Sequence, residues 1–107
     1  MAYFEHEGCT LHYEEYGHGV PLILIHGLGS SCQDWELQIP VLSRYYRLVV
    51  MDVRGHGRSD KPRERYSIAG FTADLVALIE HLQLPAAHVV GLSMGGMIAF
   101  QLAADQP

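Results

Sequence analysis

Three apolar runs, "VPLILIH" (20–26), "YYRLVVMD" (45–52) and "AHVVGL" (87–92), constrain this chain more than any other feature. Each is continuous rather than alternating, which marks a strand buried on both faces. Each is followed by a loop and then by a segment of helical character. Strands and helices in strict alternation predict an α/β fold, with parallel strands and helices on both faces. Ligands of such sheets bind at the carboxyl ends of the strands. His26-Gly27, Asp52 and Ser93 all fall there, which points to a single site.

The segments around the runs complete one domain over 1–107. Tyr3–Glu7 and Thr10–Tyr16 read as an antiparallel hairpin with one wet face, joined by Gly8-Cys9. After the Gly27–Ser31 loop, 32–44 reads as a helix in which Pro40 begins the second half or makes a kink. A long polar loop covers 53–66. Ser67 is placed to cap a helix whose Ile68, Phe71, Leu75, Leu78, Ile79 and Leu82 recur at helical spacing and which Pro85 ends. Residues 94–104 read as a short apolar helix.

The net charge of −5 and the absence of any run of Lys or Arg argue against a nucleic-acid or membrane-surface partner. No secretory signal is visible, so a cytoplasmic setting is expected, with Cys9 and Cys32 as reduced thiols. No His-x-His, HExxH or CxxC pairing occurs, so neither a metal nor a cofactor is expected.

In "VVGLSMGGMIAF", Gly91-x-Ser93-x-Gly95 sits between a strand and a helix. Glycines on both sides of a serine permit a sharp, strained turn that lifts the hydroxyl above the sheet. The amides and dipole of the following helix then suit a developing oxyanion. The plainer alternative is a glycine-rich helix start that Ser93 caps. Two further loops, "HGLGSSCQDW" after the first apolar strand and "DVRGHGRSDKP" after the second, favour the first reading.

With "HGLGSSCQDW", "DVRGHGRSDKP" and "GLSMGG" in that order, the chain resembles the N-terminal part of an α/β-hydrolase-fold enzyme. It is similar to the esterase, enol-lactonase and cofactor-free haloperoxidase branch. The resemblance implies that Ser93 is the nucleophile and that the Leu28 and Met94 amides form the oxyanion hole. His26, Gly27, Gly91 and Gly95 then shape the loops, and Leu28, Trp35 and Met94 side chains are pocket candidates, with Trp35 equally readable as plain core. It also implies attack on ester, lactone or thioester carbonyls of a small molecule, because relatives that open epoxides or cleave haloalkanes carry Asp where this chain has Ser93. Perhydrolase or haloperoxidase activity on the same Ser93 is an alternative.

The family's order is Ser, acid, His, yet residues 94–107 hold Asp105 and no histidine. Of the seven histidines, His6, His12 and His18 are expected on the hairpin surface, and His81 and His88 near the wrong end of the sheet. His26 is expected to bond within its loop, and His56 is the one makeshift base. Asp52 is expected to tie down its own loop rather than to pair with Arg54. The expectation is a chain carrying nucleophile and oxyanion hole without acid and base, inactive alone and with an incomplete sheet. Its "AHVVGL" edge is expected to seat a missing C-terminal half or a second copy. The rival is a non-catalytic, self-associating scaffold of the same descent.

Overall fold

The computed structural model describes residues 2–106. Five strands form one sheet: β1 (Ala2–His6), β2 (Cys9–Tyr16), β3 (Val20–Ile25), β4 (Tyr46–Met51) and β5 (His88–Gly91), in the spatial order β1-β2-β4-β3-β5. β1, β2 and β4 pair antiparallel, whereas β4, β3 and β5 are parallel. In register, Ile25 lies beside both Met51 and Gly91. The next residues, His26, Asp52 and Leu92, therefore leave the sheet at one level, and the loops that follow form one rim.

Alternation along the strands divides the core into two layers. Ile23, Ile25, Val49 and Met51 face α2 (Ile68–His81) and α3 (Met94–Asp105), together with Phe4, Leu11 and Tyr13 of the hairpin. Leu22, Leu24, Leu48 and Val50 face the other way, under Trp35, Ile39 and Leu42. The Ser67 hydroxyl accepts the Gly70 amide at 2.9 Å and caps α2 as its sequence predicts.

Three expectations are corrected. The segment 32–44 is not one helix. Cys32–Trp35 is a 3₁₀ turn and α1 is only Ile39–Leu42. Between them the amides of Glu36 and Gln38 bond three residues back, because a continuous helix would drive the Pro40 ring into the Glu36 carbonyl. Pro40 instead sits in the first turn of α1, where no donor is needed. Next, β5 is not buried on both faces: it pairs only with β3 among the described strands, and His88 and Val90 are exposed.

The hairpin histidines also differ from expectation. His18 is exposed, but His6 is half-buried and His12 wholly buried. Beyond its pairing with β4, β2 is covered by the 53–66 loop. The His12 amide donates to the Ser59 hydroxyl at 2.8 Å, and the Asp60 amide donates to the Thr10 carbonyl at 2.9 Å.

Candidate active site

The turn at Ser93 departs from ordinary backbone. Ser93 has φ 56° and ψ −112°, a conformation that a residue with a Cβ adopts only under strain. The Gly95 amide closes the turn onto the Leu92 carbonyl at 2.9 Å. A Cβ at Gly91 would lie 2.1 Å from the Gly95 oxygen, and one at Gly95 would lie 2.2 Å from the Ile25 oxygen. Both glycines are thus obligatory: the start of α3 presses directly on the ends of β5 and β3. Ser93 itself is exposed, and its side chain makes no capping hydrogen bond to α3.

The loop after β3 runs alongside this turn. A Cβ at Gly27 would be 3.3 Å from the Leu92 oxygen and 3.5 Å from the Ser93 Cβ. Leu28, next along, is exposed. The first amides of α3, Met94 included, have no acceptor within their own helix. The Met94 side chain is buried in the layer with Ile98 and Leu102, while Trp35 packs on the opposite layer.

His26 is wholly buried and both of its ring nitrogens are engaged by backbone. Nδ1–H donates to the Gly27 carbonyl at 2.7 Å, and Nε2 accepts the Val53 amide at 2.9 Å. Burial holds its pKa below the ordinary histidine value, against the opposing pull of the Gly27 carbonyl. A neutral ring with neither nitrogen available has no capacity to act as a base. His56 is half-buried, donates Nδ1–H to the Arg54 carbonyl at 3.0 Å, and packs with its ring tilted by 52° against the His26 ring, centroids 5.0 Å apart. Among the described residues no histidine is hydrogen-bonded to the Ser93 hydroxyl.

Asp52 ties down more than its own loop. Its carboxylate accepts the Arg58 amide at 3.0 Å, the Cys32 amide at 2.7 Å and His12 Nδ1–H at 2.7 Å. Burial alone would raise its pKa, but these donors outweigh burial and hold it below the ordinary carboxylate value. Gly57 lets the loop approach, since a Cβ there would meet the Asp52 carboxylate at 2.4 Å. Arg54 faces elsewhere, donating through Nε and Nη2 to Asp74 at 2.8 Å each. His6 also donates to Asp74, at 2.7 Å.

A cavity of about 670 Å³ opens beside Asp52, lined by Glu14, Cys32, Glu36 and Arg58 among others, and Ser93 does not line it. Sequence reasoning missed both His12–Asp52 and Arg54–Asp74. The available signal was His12-x-Glu14-x-Tyr16, which strand alternation places on one face.

The profile of the alpha/beta hydrolase fold family matches residues 20–107. The chain is 44% identical over 90 residues to the magnesium-chelatase 30 kDa subunit of Rhodobacter capsulatus, covering 83% of this chain and 32% of that protein. It superposes on the N-acyl homoserine lactone degrading enzyme Est816 with a TM-score of 0.96 and 40% identity, covering 99% of this chain and 41% of that one. The enol-lactonase of Burkholderia xenovorans LB400 gives a TM-score of 0.93 at 34% identity, covering 98% and 42%. The chain spans about a third of the length of curated relatives that it matches. Among the described residues no helix is long and apolar enough to cross a membrane.

Proposed function

The chain belongs to the α/β-hydrolase-fold family, and on that premise we propose that it carries the nucleophile and oxyanion hole of a serine hydrolase. The observation that carries the reading is the strained φ of Ser93 between two glycines that admit no Cβ, at the carboxyl end of β5. Strain of this kind, held in place by the packing around it, is characteristic of functional positions. The likeness to lactone-cleaving enzymes favours a small ester, lactone or thioester as substrate.

In this mechanism Ser93 Oγ attacks the substrate carbonyl carbon while a base takes the hydroxyl proton. The carbonyl oxygen becomes an oxyanion held by the Leu28 and Met94 amides. Collapse expels the alcohol, which takes up the proton, and leaves an acyl group on Ser93 that water then removes. His26 positions the loop bearing Leu28, with both ring nitrogens committed to backbone. The base and its acid partner come, in this reading, from a further part of the domain seated against the β5 edge. These residues alone retain at most the about 10³–10⁴-fold acceleration that binding and an oxyanion hole supply without a triad.

A fluorophosphonate probe, read by intact mass against Ser93→Ala with circular dichroism to confirm folding, tests the nucleophile. One adduct lost in Ser93→Ala is expected once the partner segment is present. No adduct under that condition overturns the reading in favour of a non-catalytic scaffold.

A further inference from the structure

His12, Glu14 and Cys32 converge at the cavity beside Asp52, away from Ser93. One ligand atom from each lies within 4.8 Å of the other two. His12 Nε2 stands 3.3 Å from a Glu14 carboxylate oxygen, and Cys32 Sγ stands 3.8 Å from that oxygen. Ligands placed tetrahedrally at zinc distances of about 2.0–2.3 Å are about 3.3–3.7 Å apart; the two sides at Glu14 are close to that size, and the third lies within 4.8 Å.

His12 supplies the independent sign. The ring is wholly buried, and Nε2 has no hydrogen-bond partner among the described residues; its approach to Glu14 is close but not aligned as a hydrogen bond. Buried polar atoms are very seldom left so. The other ring nitrogen donates to Asp52, which turns the Nε2 lone pair toward Glu14 and Cys32. A carboxylate behind a histidine that points its second nitrogen outward is the outer-shell arrangement of metal-binding histidines.

We propose that His12 Nε2, the Glu14 carboxylate and Cys32 Sγ bind a divalent cation of the zinc class. One imidazole, one carboxylate and one thiolate bring two negative charges to a doubly charged ion. The thiolate excludes magnesium and calcium as good occupants. Binding replaces the Cys32 thiol proton, which passes to solvent, with a sulfur–metal bond. Glu14 and Cys32 both line the 670 Å³ cavity, which gives the ion an entry path and leaves its fourth position to water. The ion joins β2 to the turn after β3, two elements that Asp52 already holds together.

The test is titration of the purified, chelator-treated protein with Co²⁺, followed by thiolate-to-cobalt charge-transfer absorbance, and with Zn²⁺, followed by calorimetry and the thermal midpoint. Expected are one ion per chain, a charge-transfer band absent in Cys32→Ser, and a zinc-dependent rise in midpoint that Cys32→Ser and Glu14→Gln lose. Each variant should lose more than the about 10–100-fold in affinity that follows removal of an outer-shell partner. Both positions are partly exposed, so the variants are expected to fold, with circular dichroism as the check. No saturable binding by the folded protein, or a band that survives in Cys32→Ser, overturns the proposal.

Discussion

His26 Nε2 accepts the Val53 amide at 2.9 Å, a bond that ties the loop after β3 to the loop after β4. Its geometry requires an unprotonated Nε2, while Nδ1–H is committed to the Gly27 carbonyl. The imidazole therefore holds two loops of the rim together only when neutral.

A pH dependence follows. Burial lowers the folded-state pKa of His26 below the about 6.5 of the unfolded chain, so the unfolded chain takes up the proton first as the pH falls. The stability contributed by His26 is full above about pH 6.5 and is lost as pH falls from there toward the folded-state value. Urea unfolding across this range should show a steeper loss for the wild-type than for His26→Gln, which has no charge to gain. Parallel slopes would show that His26 is not buried neutral.

The two elbow glycines should tolerate nothing larger. In Gly91→Ala and Gly95→Ala the new methyl meets backbone oxygens at 2.1 and 2.2 Å, and neither oxygen can move without displacing a strand end or α3. A loss of about 4 kcal/mol or more, or failure to fold, is expected. Gly8→Ala is the control: φ is 79° there, but the space is open, so only the about 1–2 kcal/mol conformational cost applies. Chemical denaturation of the three variants side by side gives the comparison.

Ser93→Gly should act in the opposite direction. At φ 56° and ψ −112°, serine stores about 1–3 kcal/mol of backbone strain that glycine does not. After glycine's own entropic cost of about 0.5–1 kcal/mol, a net gain of about 0–2.5 kcal/mol remains. The midpoint of unfolding should rise while labelling by a serine-directed probe disappears. A variant less stable than wild-type would mean that the serine side chain holds the elbow together.

The parallel strands and their loops were legible because each signal is local: an apolar run, a glycine at a forced turn, Ser67 ahead of an amphipathic helix. The failures are non-local. His12 and Glu14 read as a wet strand face because nothing near them reveals that the 53–66 loop and the Cys32 turn fold over it. The break in 32–44 was visible in Pro40, but nothing local shows that the Cys32 amide, at the start of the 3₁₀ turn, is held by Asp52, 20 residues away. Arg54 was rightly kept apart from its near neighbour Asp52, but its partner, Asp74 on α2, lies 20 residues away and left no local sign.

That Arg54–Asp74 pair makes a prediction of its own. Asp74 is wholly buried and receives two charge-assisted bonds from Arg54. Arg54→Met removes the fork and leaves a buried carboxylate with His6 as its remaining side-chain donor, which should cost about 3–5 kcal/mol. Arg54→Lys should recover only part of this, since an ammonium cannot offer two parallel donors in one plane. The double variant Arg54→Met with Asp74→Leu should be more stable than Arg54→Met alone, because no unpaired charge remains. Additive losses in that cycle would refute the pairing as the source of the cost.

The β5 edge should decide how the chain associates. Val90 on the strand is 44% exposed and Phe100 on α3 is 81% exposed, and β5 has no outer partner among the described strands. An apolar strand with an open row of amides and carbonyls pairs readily with another strand. The 107-residue chain alone should therefore sediment as a concentration-dependent mixture of monomer and higher species. Val90→Lys places a charge on the edge and Phe100→Glu removes a large exposed apolar side chain. Together they should shift the mixture to monomer without changing the circular dichroism spectrum. If the edge instead seats the rest of a hydrolase domain, the same pair should weaken recovery of Ser93 labelling when that segment is supplied. A wild-type chain that remains monomeric at high concentration would show that the edge is protected and would remove self-association as its role.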